Sequence, residues 1–414
     1  MRRRVVVTGM GIVSPIGNDP GTVWQALMEG RSGTATIRRF DAQDLPSRIA
    51  GEVRAFDATQ YLPAKEARRT DRFVQFAVAA AKEALRSAGL DGTTAFAERT
   101  GVLIGSALGG VETFEQGVET LRTRGPSKVS PFMIPMFLAD IAGGYVAIEI
   151  GARGPNFATL SACASGANAI GEGMRMIREG RVDIVLAGGS EAPLTPSVVA
   201  GFAALQALSR RNDAPETASR PFDRTRDGFV IAEGAAILVL EAEDVARSRG
   251  APILAEVVGY GTTADAHHIV QPCSDGAGAV AAMRQALADA ELQTGDIDYV
   301  NAHGTSTPLN DIAETAALKT VFGGRSKVPP VSSTKALTGH LLGAAGALEA
   351  AICVLALQHQ TIPPTWHLRE PDPACDLDYV ANEPRAASLR YVMTNAFGFG
   401  GHNAVLILGR YPAP

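Results

Sequence analysis

One thiol in "ATLSACASGANAIGEGMRMIREG" (158–180) stands among small residues, where a β-type run gives way to a helical pattern. Ala162, Ala164, Ser165 and Gly166 leave room around the sulfur of Cys163. A helix N-terminus offers unpaired N–H groups and a positive dipole end, both of which favour a thiolate. The dipole contributes up to about 2 kcal/mol, and one pKa unit is about 1.4 kcal/mol. On that arithmetic the thiol falls from about 8.5 to roughly 7.5, giving some thiolate at neutral pH without a dedicated base. A small buried core cysteine fits the same residues equally well.

Two histidines sit where α/β proteins place functional groups, in loops after strands. His303 lies in "YVNAHGTSTPLND" and His340 in "STKALTGHLLGAAGALEAA", with Lys335 five residues before it. For either histidine taken singly, a structural role is the commoner outcome. His267 and His268 in "ADAHHIV" are adjacent, so their side chains point apart on a strand, and no carboxylate cluster accompanies them. "NAFGFGGHN" (395–403) is a glycine-rich turn between two strands that can present backbone N–H groups to a ligand. "VTGMGIVSPIG" gives GxG without the third glycine of a dinucleotide fingerprint.

The elements that must position these groups occur twice. "FAVAAAKEALRSAGLDG" (76–92) and "AVAAMRQALADAELQTG" (279–295) are both Ala-rich amphipathic helices, leading to the strands in "RTGVLIGS" and "IDYVNAHG". The Cys163 stretch and "VSSTKALTGHLLGAAGALEAAICVLALQHQ" are both polar turns that open a small-residue helix. Each half closes on an apolar strand, "EGAAILVLE" and "NAVLILGR". Strands alternating with helices give sheets covered by helices. The spacing reads as an ancient duplication, residues 1–250 and 251–414 packed face to face. Irregular insertions are expected near 40–70, 110–140 and 205–230.

Composition narrows the class. The 414 residues are 46% hydrophobic, with 44 Gly and 24 Pro, as in a large globular chain with many turns. A net charge of −5 and a pI near 5.9 argue against nucleic-acid or anionic-membrane partners. The four cysteines show neither CxxC nor ladder spacing, which fits free thiols in a reducing, cytoplasmic setting. "MRRRVVVTGMGIVSPIG" has no cleavage site and reads as a first strand. "LLGAAGALEAAICVLAL" (341–357) is shorter than a bilayer span and carries Glu349 at its centre, so it reads as a buried helix.

Together these stretches resemble a β-ketoacyl-[acyl-carrier-protein] synthase, the elongating type II class of the thiolase superfamily. "RRTDRFVQFAVAAAKEAL", "GPSKVSPFMIPMFLAD", "SACASGANAIG", "RPFDRTRDGFVIAEGAAILVLE", "YVNAHGTSTPLNDIAE", "SSTKALTGHLLGAAGALEA" and "NAFGFGGHN" follow the opening segment in the family's order. The resemblance implies a duplicated five-layer αβαβα fold, a homodimer, and condensation of an acyl thioester with malonyl-[acyl-carrier protein] to lengthen fatty acids. It makes Cys163 the acyl acceptor and places malonyl decarboxylation between His303 and His340. Lys335 would orient and polarise the His340 region, helped by Asp311 and Glu314. Phe399 would be a gate whose N–H joins that of Cys163 as an oxyanion hole. No organic cofactor is implied, but a structural K+ or Na+ would fall at Asn301, Glu349, Thr394 and Asn395. Leu108 and Met133 match positions near the acyl pocket and depart from the commoner Ile and aromatic residues. The docking face for the acidic carrier protein would comprise Lys65, Arg68, Arg69 and Lys128.

Other readings differ at named positions. A thiolase would carry a second cysteine where Phe399 stands, and an initiating synthase would carry Asn at His340. A non-catalytic chain-length partner would lack Cys163. A nicotinamide oxidoreductase rests on the GxG alone. An aromatic-polyketide ketosynthase would share the Cys–His–His set.

Overall fold

The computed structural model describes residues 2–92 and 96–412. Two sets of five strands build one ten-stranded sheet. The first set is β1 (Val5–Val13), β2 (Thr100–Gly105), β3 (Asn156–Phe157), β4 (Ile184–Glu191) and β5 (Gly234–Ala242). The second is β6 (Ala255–Ala264), β7 (Tyr299–Asn301), β8 (Val331–Ser332), β9 (Tyr391–Gly398) and β10 (His402–Gly409). The order is β8-β7-β9-β10-β6-β1-β5-β4-β2-β3. Each set therefore runs first, fifth, fourth, second, third from the junction outward. In both, the two pairings nearest the junction are antiparallel and the two nearest the edge are parallel. The sets join where Val6 faces Glu256 and Val7 faces Ala255.

Helices repeat in the same way. Among those of the first half are α1 (Arg72–Ala88), α2 (Val111–Arg124), α3 (Met133–Phe137), α4 (Ile141–Ile150) and α5 (Ser165–Arg178). Those of the second include α6 (Ala277–Ala290), α7 (Pro308–Phe322) and α8 (Ala345–His359). α1 and α4 cover one outer face, α6 and α7 the other, and α5 and α8 lie between the two strand sets. This is the five-layer αβαβα arrangement. The 110–140 region is not irregular as expected, since α2 occupies much of it. Its stripe of Val111, Phe114, Val118 and Leu121 has helical spacing, but the last three remain exposed.

The apolar stretch is also longer than its sequence suggested. Leu342–His359 has the length and hydropathy to cross a membrane, yet 89% of it is buried inside the fold. It is a core helix with solvent-free sides, and its Glu349 is paired with Lys335. The N-terminal basic–apolar segment forms β1, a fully buried central strand.

The GxG of the first strand has a packing role that recurs in the second half. A β-carbon at Gly9 or Gly11 would overlap the carbonyl oxygens of Ala84 or Ala80 on α1. At Gly259 and Gly261 of β6 the same overlap would occur with Ala286 and Ala282 of α6. Helix backbone lies directly on strand backbone at both places, which explains the alanine-rich helices and removes the dinucleotide reading. Gly11→Ala and Gly261→Ala should each destabilise by about 1–3 kcal/mol, the usual cost of overpacking, in urea unfolding. Gly201→Ala, in an exposed helix with open space around its α-carbon, should be neutral or slightly stabilising.

Candidate active site

Cys163 sits in a single 3-10 turn, Ala162–Ala164, immediately before α5. Ala162 takes a left-handed φ of 50°, which bends the chain sharply into the helix. No side chain caps the start of α5; the Ala164 and Ser165 N–H groups instead donate to the Ser161 and Ala162 carbonyls of the turn. The second half repeats the bend: Leu342 has φ 46° and Gly343 stands where Cys163 would be. α5 and α8 approach so closely that a β-carbon on Gly166 would lie 2.9 Å from that of Ala347. At Gly346 one would lie 2.9 Å from that of Ala167.

That approach brings groups from both halves together. The Nε2 of His340 lies 3.0 Å from the Cys163 sulfur. The His303 and His340 rings are edge to face, with centroids 5.3 Å apart. Both imidazoles are held neutral, well below the ordinary histidine range, by burial and by the nearby Lys335 charge. Phe229 packs against His340 and Phe397 against His303, both edge to face. Phe229 and Phe397 both lie in stretches singled out above, but nothing in those stretches marks an aromatic as the wall of an imidazole.

The Lys335 ammonium lies 3.4 Å from Nδ1 of His303 and pairs with Glu349, while its charge also acts on His340 as expected. Glu314 accepts the backbone N–H groups of His303 and Gly304, each at 2.8 Å, and so fixes the His303 loop. Asp311 does not assist Lys335. It accepts the Phe222 N–H at 2.9 Å and lies 3.4 Å from the Arg226 guanidinium, tying the 220s segment to α7.

The expected thiolate is also corrected. Burial pushes the Cys163 thiol up to about 12, although Lys335 and the Phe399 N–H pull it down. The helix terminus alone does not overcome desolvation of the charge. Phe399 opens the β9–β10 turn, and its N–H faces the Cys163 sulfur. A β-carbon at Gly398 would lie 3.0 Å from the Cys163 nitrogen, so only glycine keeps that N–H clear. The Phe399 ring lies 6.2 Å from Phe202, at the cavity wall.

A cavity of about 460 Å³ connects Cys163, His303 and His340 with the exposed Leu205 and Leu309. Leu108 lines it, as expected. Met133 is not in its lining: its thioether fills the space above Gly117 at the contact of α2 and α3.

The comparisons agree with this geometry. Residues 2–246 match the N-terminal domain of beta-ketoacyl synthases and residues 254–369 the C-terminal domain. A 3-oxoacyl-[acyl-carrier-protein] synthase 2 from Synechocystis is 50% identical, covering 99% of both chains. The chain belongs to the β-ketoacyl synthase family. A beta-ketoacyl synthase from Burkholderia phymatum superposes with a TM-score of 0.93 at 39% identity, over 99% of this chain and 100% of that one. A type II polyketide ketosynthase, solved with its acyl-carrier protein, gives 0.92 at 34% identity over 100% of both chains. Higher identity to the 3-oxoacyl synthases favours fatty-acid elongation over the polyketide alternative.

Buried oxygens without a hydrogen-bond partner among the described residues of this ketosynthase include Asn301 Oδ1, Glu349 Oε2, Thr394 Oγ1 and Asn395 Oδ1. Asn301 and Thr394 face each other in the β7–β9 register. An all-oxygen set with one carboxylate fits a hard monovalent cation. Among the surface residues, Lys65, Arg68 and Lys128 are exposed and form no ion pair among the described residues. Arg69 lies over the Phe132 ring at 4.6 Å and within 4.0 Å of Glu66, so it is partly engaged.

Because the buried thiol is raised to about 12, inactivation of the free ketosynthase by iodoacetamide should accelerate from pH 7 to 9.5 without levelling. Thiolate fraction rises roughly tenfold per pH unit below the pKa. A plateau near pH 7.5 would restore the helix-dipole account.

Proposed function

We propose that Cys163, His303 and His340 divide a two-stage condensation, and the observation that carries it is the sulfur–imidazole contact inside the apolar cavity. The enzyme joins an acyl thioester to malonyl-[acyl-carrier protein] with loss of carbon dioxide, lengthening a fatty acyl chain by two carbons. In the first stage the Cys163 sulfur attacks the acyl carbonyl. Its proton passes through Nε2 of His340 to the departing carrier thiolate, leaving acyl-cysteine and a free carrier thiol. The N–H groups of Cys163 and Phe399 hold the tetrahedral oxyanion.

In the second stage malonyl thioester loses carbon dioxide and becomes an enolate. The Lys335 ammonium donates to Nδ1 of His303, so the ring proton of His303 sits on Nε2 and can donate to the enolate oxygen. Nδ1 of His340 has no partner among the described residues, so neither tautomer is pinned and this ring can accept in one stage and donate in the next. The enolate carbon then attacks the acyl-cysteine. Collapse yields the β-ketoacyl thioester and returns the thiolate, which takes up one proton. Neutral imidazoles and excluded water protect the carbanion from protonation.

Several features support the remaining assignments. Asn301, Glu349, Thr394 and Asn395 would hold K+ or Na+, whose charge offsets the Glu349 oxygen that Lys335 leaves free. The carrier protein would dock at Lys65, Arg68, Arg69 and Lys128, because a net-negative chain needs a local basic patch for an acidic partner. A homodimer would cover the edge strand β3 with its exposed Phe157, and the exposed Ile148 and Leu160 nearby. A nucleophilic thiol must stay reduced, which supports a cytoplasmic location.

His303→Ala should still accept an acyl group on Cys163 but lose malonyl decarboxylation by about 10²–10³-fold, the usual cost of one missing oxyanion donor. His340→Ala should lose decarboxylation similarly and also slow acylation. The checks are intact-mass acylation and carbon dioxide release, measured separately. Normal decarboxylation by His303→Ala would contradict the division.

A further inference from the structure

Glu191 ends β4 and is fully buried, yet it carries no salt bridge to any basic side chain among the described residues. Its carboxylate instead collects four donors. Oε1 accepts from the Ser106 hydroxyl at 3.0 Å and the Leu108 N–H at 3.1 Å. Oε2 accepts from the Ala107 N–H at 2.6 Å and the Gly343 N–H at 3.0 Å. The first three donors follow β2 in the N-terminal half, whereas Gly343 belongs to the turn of the other half. Ser106 also accepts the Gly109 N–H at 3.0 Å, which extends the brace one residue further. The site is tightly filled: a β-carbon at Gly343 would meet the carboxylate and the Ser106–Ala107 backbone.

What this carboxylate holds is the channel wall. Leu108 and Leu342 both line the cavity, and both belong to the apolar cluster around Cys163. Each sits on a backbone segment that Glu191 anchors, one from each half. A buried carboxylate is costly to desolvate, and burial pushes this one up to about 7 against the pull of its donors. An apolar residue could fill the volume but could not accept four donors, and unpaired N–H groups would then displace both segments.

We propose that Glu191 is a specificity-positioning residue, a brace across the two halves that sets the spacing of Leu108 and Leu342 and hence the acyl chain length accepted. This rests on reading the cavity as the acyl channel. The group does not touch substrate; it acts through the backbone it holds. Glu191→Gln is nearly isosteric, but its amide nitrogen must face two N–H or O–H donors in either orientation. Repulsion there moves one wall or the other.

The test is acyl transfer to Cys163 from carrier-bound acetyl, octanoyl and dodecanoyl groups, with kcat and KM determined for each. Glu191→Gln should change the dodecanoyl-to-acetyl ratio of kcat/KM by about tenfold or more, the scale of a misplaced methylene contact. Ser106→Ala, which removes a single donor, should shift the ratio in the same direction but less. In a Leu108→Ala background the Glu191→Gln shift should shrink, because one of the two walls it positions is gone and only Leu342 remains. A loss equal across all three chains, or a shift undiminished by Leu108→Ala, would overturn the inference. If Glu191→Gln fails to fold, Ser106→Ala alone and combined with Leu108→Ala gives the same decision. Failure of the wild type to take up any acyl group would instead overturn the function itself.

Discussion

The close crossing of α5 and α8 at Gly166 and Gly346 is the constraint on which the site depends. It lets two helix starts, one from each half of a duplicated fold, meet with little between them. One start supplies the thiol; the turn before the other supplies His340. Residues larger than glycine or alanine at this crossing would separate the sulfur from the imidazole, which now stand 3.0 Å apart. The duplication therefore does more than repeat strands. It creates two equivalent bends, of which one keeps a cysteine and the other a glycine whose N–H is used by Glu191.

Burial sets the electrostatics of everything placed there. It holds both histidines neutral, raises the thiol, and leaves Lys335 and Glu349 to neutralise each other. A neutral imidazole donates to an enolate without protonating the carbanion, and a water-poor cavity strengthens every such donor. The cost is a nucleophile that rests as a thiol. Its proton must leave as the substrate arrives, and the His340 contact provides the route.

Much of this was legible in sequence because it depends on local order. The paired helices, the closing strands and the Cys163 and His303 loops keep their character within a few residues of chain. The GxG of β1 was visible but ambiguous, and its packing role became clear only beside the equivalent pair in β6. The partner of Lys335 was not legible, since five residues from His340 says nothing about the direction of a long side chain. The thiol pKa was missed for a related reason: the helix terminus is local, whereas desolvation is set by the whole surrounding fold. The exposed face of α2 was not foreseen because its stretch read as an irregular insertion, and where Met133 packs was not legible because the contact with Gly117 sets it. Glu191 gave no signal, as one acidic residue ending an apolar strand resembles any other.

The central claim is that one sulfur carries the chain between the two stages. Loading the enzyme with octanoyl carrier protein, isolating it, and then adding malonyl carrier protein tests this by peptide mass spectrometry. The account predicts octanoyl on the Cys163 peptide, then its disappearance in step with carbon dioxide release and a carrier-bound β-ketodecanoyl product. Octanoyl on Cys273, Cys353 or Cys375, or octanoyl that stays on Cys163 while product forms, would contradict it.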